Sequence, residues 1–134
     1  MVAERLEFSL DGYYKRLSGL YDLDPEGLLQ RNLSGDAVGG ELQARYRLRD
    51  LFFSSLSVAV ARATRGGALY DYDQPFSLNF AASWTFRPTW NIGLRYRYAT
   101  GLPYTPVVDG IYDATTDRYT PVFGATNSAR LPPY

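Results

Sequence analysis

The chain has 134 residues, 14 basic against 14 acidic side chains, and neither cysteine nor histidine. That length holds one domain or part of one, and the charge balance lacks the basic excess typical of nucleic-acid binding. The missing residue types exclude a disulfide framework, Ser-His and Cys-His pairs, and the usual zinc ligands.

The first predicted element is a strand over residues 6–16. Leu6, Phe8, Leu10, Gly12 and Tyr14 alternate with Glu7, Ser9, Asp11, Tyr13 and Lys15, the period of two that marks a half-covered strand. Residues 17–38 hold Gly, Asp, Pro and Asn and read as a long loop, with a turn at Asp24-Pro25-Glu26-Gly27 and a short helical stretch over 27–30. The second strand is 40–49, with Leu42, Ala44, Tyr46 and Leu48 on one face and Glu41, Gln43, Arg45, Arg47 and Arg49 on the other. After Asp50-Leu51 the third strand, 53–63, puts Leu56, Val58 and Val60 opposite Ser55, Ser57, Ala59 and Ala61. A loop over 64–75 follows.

The clearest alternation lies in the fourth and fifth strands, 76–86 and 90–100. Phe76, Leu78, Phe80, Ala82, Trp84, Phe86, Trp90, Ile92, Leu94, Tyr96 and Tyr98 form an apolar set. Ser77, Asn79, Ala81, Ser83, Thr85, Asn91, Gly93, Arg95 and Arg97 form a mainly polar or small one. Runs of about ten residues suit a tilted strand crossing a bilayer, and 101–134 reads as a final long loop. The expected fold is therefore all-β: an antiparallel meander of about five long amphipathic strands, part of a transmembrane β-barrel. Short connections at 50–51 and 87–89 alternate with long ones, as periplasmic turns alternate with extracellular loops in such barrels. Trp84, Phe86 and Trp90 then form an aromatic girdle at the periplasmic rim. No apolar run reaches the roughly 18 residues of a membrane helix, and the opening residues lack the basic and apolar blocks of a signal peptide. Bacterial barrels need an even number of strands and at least about eight, so residues 1–134 are expected to be a partial barrel domain.

The stretches around the last strands point further. Tyr72-Asp73-Gln74 precedes the fourth strand, Gly101-Leu102-Pro103-Tyr104-Thr105-Pro106 follows the fifth, and Asn127-Ser128-Ala129-Arg130-Leu131-Pro132-Pro133-Tyr134 comes last. Their order resembles the C-terminal barrel region of TonB-dependent outer-membrane receptors. Phe8-Ser9-Leu10-Asp11-Gly12-Tyr13-Tyr14-Lys15-Arg16 and Gly39-Gly40-Glu41-Leu42-Gln43-Ala44-Arg45-Tyr46 also look like that family's strands. The resemblance implies a large plugged barrel of about 22 strands in the bacterial outer membrane. It also implies a last stretch that leads into a further strand, and uptake of a scarce nutrient such as a siderophore-iron complex, cobalamin, a glycan or a peptide. The implied partners are outer-membrane lipid, the rest of the barrel with its plug, and the TonB protein, reached through a plug that this sequence does not contain.

Arg45, Arg47, Arg49, Arg95 and Arg97 fall on one face and are expected to line the lumen, paired with acids; an anionic-ligand path is the alternative. Tyr104, Tyr112, Tyr119 and Tyr134 are candidates for a ligand platform in the outer loops, or for loop packing. Asp22, Asp24 and Glu26, and the pair Asp71 and Asp73, suggest solvated loops, with calcium as the sharper option. Neither a catalytic set nor a cofactor or metal motif is recognisable, so an enzyme is not expected. A porin-like or structural barrel segment and a soluble β-sandwich or barrel binding module are the competing classes. In the soluble class the even-numbered face packs inward.

Overall fold

The computed structural model describes residues 4–23 and 28–134. It is all-β, with strands β1 (Glu4–Leu23), β2 (Leu29–Leu48), β3 (Phe52–Arg65), β4 (Ala68–Leu69), β5 (Phe76–Arg87), β6 (Trp90–Ala99), β7 (Pro103–Tyr104), β8 (Val107–Asp113), β9 (Arg118–Phe123) and β10 (Ala129–Arg130). The main sheet is an antiparallel meander ordered β1-β2-β3-β5-β6, with β4 folded back on β3; β7 pairs with β10 and β8 with β9.

Register makes one face of this sheet. Leu10 stands opposite Leu42, Leu42 opposite Val58, Val58 opposite Leu78, and Leu78 opposite Tyr98. The row beside it runs Phe8, Ala44, Leu56, Phe80, Tyr96. Directly opposed residues point the same way, so up to Leu17 in β1, from Gly35 in β2 and up to Thr85 in β5 the even-numbered side chains share one side and the odd-numbered share the other. A one-residue slip at any ladder would break the apolar band and set charges into it.

The apolar side is not covered. Leu10 is 79% exposed, Phe8 68% and Leu94 61%, and among the described residues the buried apolar side chains are Ala99 and Pro103. The accessible surface is 10327 Å², against about 7,100 Å² for a compact globule of this mass. The expected inward packing of a soluble sandwich is absent from the described residues: no second sheet lies on the even-numbered face.

Three loop expectations need correction. Residues 17–38 are not a long loop; β1 runs to Leu23 and β2 begins at Leu29. The loop-forming residues are absorbed by irregularities in the ladder between Leu17 and Asp22, where Gly19 has φ +70° and Asn32 φ +61°. Bulges let such residues sit inside a continuing hairpin. The turn expected at 24–27 lies outside the described residues. No helix forms at Leu28 to Gln30, since Leu29 and Gln30 pair with Leu23 and Asp22. Within 64–75, Gly66 (φ +57°) and Gly67 (φ +85°) close a two-residue hairpin onto β4, a type I′ arrangement that glycine permits. Finally, 101–134 contains the β8–β9 hairpin and the β7–β10 ladder.

Arg49 also differs from expectation. It sits in the β2–β3 turn with φ +49°, not on the strand, so it leaves the row of Arg45 and Arg47.

Candidate functional site

Arg45, Arg47, Arg95 and Arg97 do share the odd-numbered face. Arg45 and Arg95 lie in one cross-strand row through Ser55 and Ala81. The Arg45 guanidinium donates to Gln43 Oε1 (3.4 Å), Gln43 Nε2 donates to Glu41 Oε1 (2.9 Å), and Ser57 Oγ donates to the same carboxylate oxygen (2.8 Å). Glu7 stands opposite Arg45 and is ion-paired with Arg5. Arg47 lies over the Phe53 ring at 5.7 Å and Arg97 over the Tyr134 ring at 5.8 Å. A depression of about 650 Å³ crosses this face, lined by Arg5, Glu7, Arg45, Arg47, Phe53 and Ser55 among others. The arrangement is a wet polar surface able to hold a carboxylate or phosphate bidentately through arginine.

Trp84, Phe86 and Trp90, the residues of the expected girdle, form a contiguous cluster. Trp84 and Phe86 have ring centroids 5.7 Å apart, and Phe86 and Trp90 6.2 Å. They flank the Pro88-Thr89 turn, and the register shifts between Thr85 and Arg87, so that Arg87 stands opposite Trp90. Tyr46 and Phe52 extend the aromatic end of the sheet, with centroids 6.1 Å apart.

The tyrosine candidates divide. Tyr112 and Tyr119 are directly opposed on β8 and β9, with rings 5.1 Å apart. Tyr104 stands in another ladder, opposite Ala129. Tyr134 is not a loop residue in its contacts: its backbone N–H and C=O exchange hydrogen bonds with Ala99 at 3.0 and 2.8 Å. With Leu131 N–H bonded to Leu102 O (2.9 Å) and Arg130 opposite Pro103, residues 129–134 run antiparallel beside 99–104 in one register.

The site that sequence reasoning missed lies where β3, β5 and this last stretch meet. Asp73 is 2% exposed. One of its carboxylate oxygens accepts the Ala63 N–H (2.6 Å) and the other accepts Arg130 Nη2 (2.7 Å). Arg130 Nη1 also donates to the carbonyls of Asp73 (2.7 Å) and Gly101 (2.9 Å). Buried Asn127 donates to Leu69 O and to Asp71 Oδ1, each 2.7 Å, and its own N–H reaches Thr105 Oγ1 (3.0 Å). Gln74 Nε2 bridges Thr100 O (2.9 Å) and Tyr134 Oη (3.1 Å). The three sequence stretches noted above, far apart in the chain, therefore close on one another as a latch. An acid and a base separated by 57 positions are not a local pattern.

This use of Asp71 and Asp73 replaces the calcium option for that pair, since each carboxylate is engaged by a nitrogen donor. Asp22, Asp24 and Glu26 fall outside the residues whose side chains are described. Among the described residues no cluster of three or more potential metal ligands occurs.

Gly101 is part of the latch for steric reasons. A Cβ there would lie 2.0 Å from Leu131 O and 2.7 Å from Pro132 O, positions that only a shift of the backbone would relieve. Gly101→Ala is expected to cost about 1–3 kcal/mol and to loosen residues 129–134, read as faster proteolysis after Arg130. Unchanged cleavage would show that the close approach is unimportant.

The β8–β9 tip carries a pH-sensitive turn. The Thr115 N–H (2.9 Å) and Thr116 hydroxyl (2.8 Å) both donate to the Asp113 carboxylate, and these bonds, the backbone one first, hold its pKa below the ordinary 3.8. A lowered folded-state pKa contributes stability that is present above the unfolded value and is lost as pH falls through the folded one. Amide exchange at Thr115 is expected to stay constant from pH 7 to about 4, after correction for intrinsic rates, and to accelerate below that. Asp113→Asn should abolish the acid-induced step; a step that persists would place its origin elsewhere.

In comparisons with protein-family models, curated proteins and solved structures, nothing matches this chain.

Proposed function

We propose that the chain is a section of wall from an outer-membrane β-barrel of the TonB-dependent receptor type, non-catalytic in itself and serving uptake of a scarce nutrient. The observation that carries this is the continuous, uncovered apolar face backed by a polar one. Water does not favour apolar patches of this extent on a monomer, whereas lipid requires them. From Val38 to Leu48 the face covers about 34 Å of strand at roughly 3.4 Å per residue. A tilt of about 45° makes that a band about 24 Å tall, close to the roughly 25 Å of membrane barrels. Its Trp84, Phe86 and Trp90 end would meet the periplasmic interface and its Tyr14 end the outer one. The latch among the three receptor-like stretches favours this class over a plain pore, because it anchors the large β8–β9 excursion beside the barrel rim, where a ligand is met.

The test is the lipid contact of the two tryptophans, Trp84 and Trp90. The chain is refolded into phosphatidylcholine vesicles with lipids brominated at graded depths. The expected result is strongest quenching by shallow labels. A folded chain that stays in buffer, with unquenched emission, would overturn the membrane reading.

A further inference from the structure

The apolar face ends abruptly in a row of charge. Tyr14, Val38 and Arg62 stand side by side on β1, β2 and β3, and the next row is Arg16, Asp36 and Thr64. All are even-numbered and so belong to the apolar side. Asp36 is already used: it accepts from Tyr14 Oη at 2.7 Å and from Arg16 Nε at 3.0 Å. Arg62 is exposed and has no carboxylate partner among the described residues. The charges of this rim, Arg16, Asp36 and Arg62, therefore leave one guanidinium uncompensated.

Directly below, the apolar face is at its lowest. Gly12 and Gly40 are opposed there, beside Val60. Neither glycine has positive φ. A Cβ on Gly12 would come no closer than 3.9 Å to its surroundings, and one on Gly40 no closer than 3.4 Å. Backbone geometry does not demand glycine at either place, so the hollow is open to whatever covers the face.

We propose that this rim binds the phosphate of an anionic lipid, with Arg62 as the charge partner, Tyr14 at the headgroup level and the lipid's chain lying over Gly12 and Gly40. The inference rests on the membrane reading above and deepens it by naming a lipid class. A cation bordering a lipid-facing surface lies at headgroup depth, where anionic lipid is its available counter-charge. Arginine suits the task, since its planar fork takes two phosphate oxygens at once and is weakly hydrated. The opposite end of the face is aromatic, at Trp84, Phe86 and Trp90, with Arg87 opposite Trp90 beyond a register shift.

The experiment uses the full chain refolded in dodecyl maltoside micelles, titrated with phosphatidylglycerol, with phosphatidylcholine and with inorganic phosphate, binding being read by native mass spectrometry. Phosphatidylglycerol is expected to bind about tenfold tighter than phosphatidylcholine. Arg62→Gln should erase that preference, while Arg118→Gln in β9 should leave it intact. Equal binding of the two lipids, or a preference that survives Arg62→Gln, overturns the proposal. Displacement by millimolar inorganic phosphate would also overturn it, by showing a site for free anions. Partition into phosphatidylcholine vesicles without a phosphatidylglycerol preference sinks this inference alone. A chain that folds in buffer and enters no vesicle sinks the membrane reading with it.

Discussion

Replacing Asp73 by alanine is expected to destabilise the fold by about 3–5 kcal/mol, the usual cost of stranding one half of a buried ion pair. Asp73 has a side chain 1% exposed, and Arg130, at 27%, makes its bonds inward. Without the carboxylate, the guanidinium keeps two carbonyl partners, the Asp73 and Gly101 oxygens, but loses its counter-charge. The Ala63 N–H also loses its acceptor. Arg130→Lys should lose most of the same energy, because a single ammonium cannot span three acceptors in a plane. Arg130→Met should also be strongly destabilising, since it leaves Asp73 charged and alone. The double variant Asp73→Ala/Arg130→Met is expected to lose clearly less than the sum of its parts, because neither charge is then stranded. Urea titration of the detergent-refolded chain, followed by circular dichroism, reads all four. Single-variant losses below about 1 kcal/mol would mean that the pair behaves as a surface bridge and that the latch does not hold the last stretch.

Leu94→Arg is expected to weaken lipid partition of the folded chain by about 2–4 kcal/mol, the cost of arginine at mid-membrane depth on a barrel's lipid face. Leu94 is 61% exposed, midway along the edge strand β6 on the apolar face. Were that face in water, an exposed charge would change stability by no more than about 0.5 kcal/mol. A buried sandwich position would lose stability, but Leu94 is not buried. The structure thus turns a substitution that sequence alone leaves ambiguous into a discriminating one. The matched control is Asn79→Arg, on the polar side between Ser57 and Arg97, which should partition nearly as the parent does. Co-flotation with phosphatidylcholine vesicles measures both. Equal flotation of Leu94→Arg and the parent would show that lipid does not contact this face.

The long strands were legible because their signal is local. Between Phe76 and Tyr98 the side-chain period is two, and a strand places alternate residues on opposite faces whatever its neighbours do. The same signal failed over residues 17–38, where Gly19 and Asn32 look like loop formers. They act instead as bulge residues in a hairpin held by its partner strand, and pairing across a ladder overrides the local preference of one residue. The glycine pair at 66 and 67 reads locally as loop composition, although two consecutive glycines are also the signature of a tight hairpin.

By itself the sequence determined the class of fold, the central stretches of its amphipathic strands, and which of their residues face which side, because alternation is written residue by residue. The tertiary structure decided that all those faces merge into one uncovered band, since merging depends on register, and register depends on pairing between strands. It also decided that Asp73, Gly101, Asn127 and Arg130 form a single latch. Contacts between residues some thirty to sixty positions apart leave no periodic trace in the chain; only folding brings their charges and carbonyls within hydrogen-bond reach.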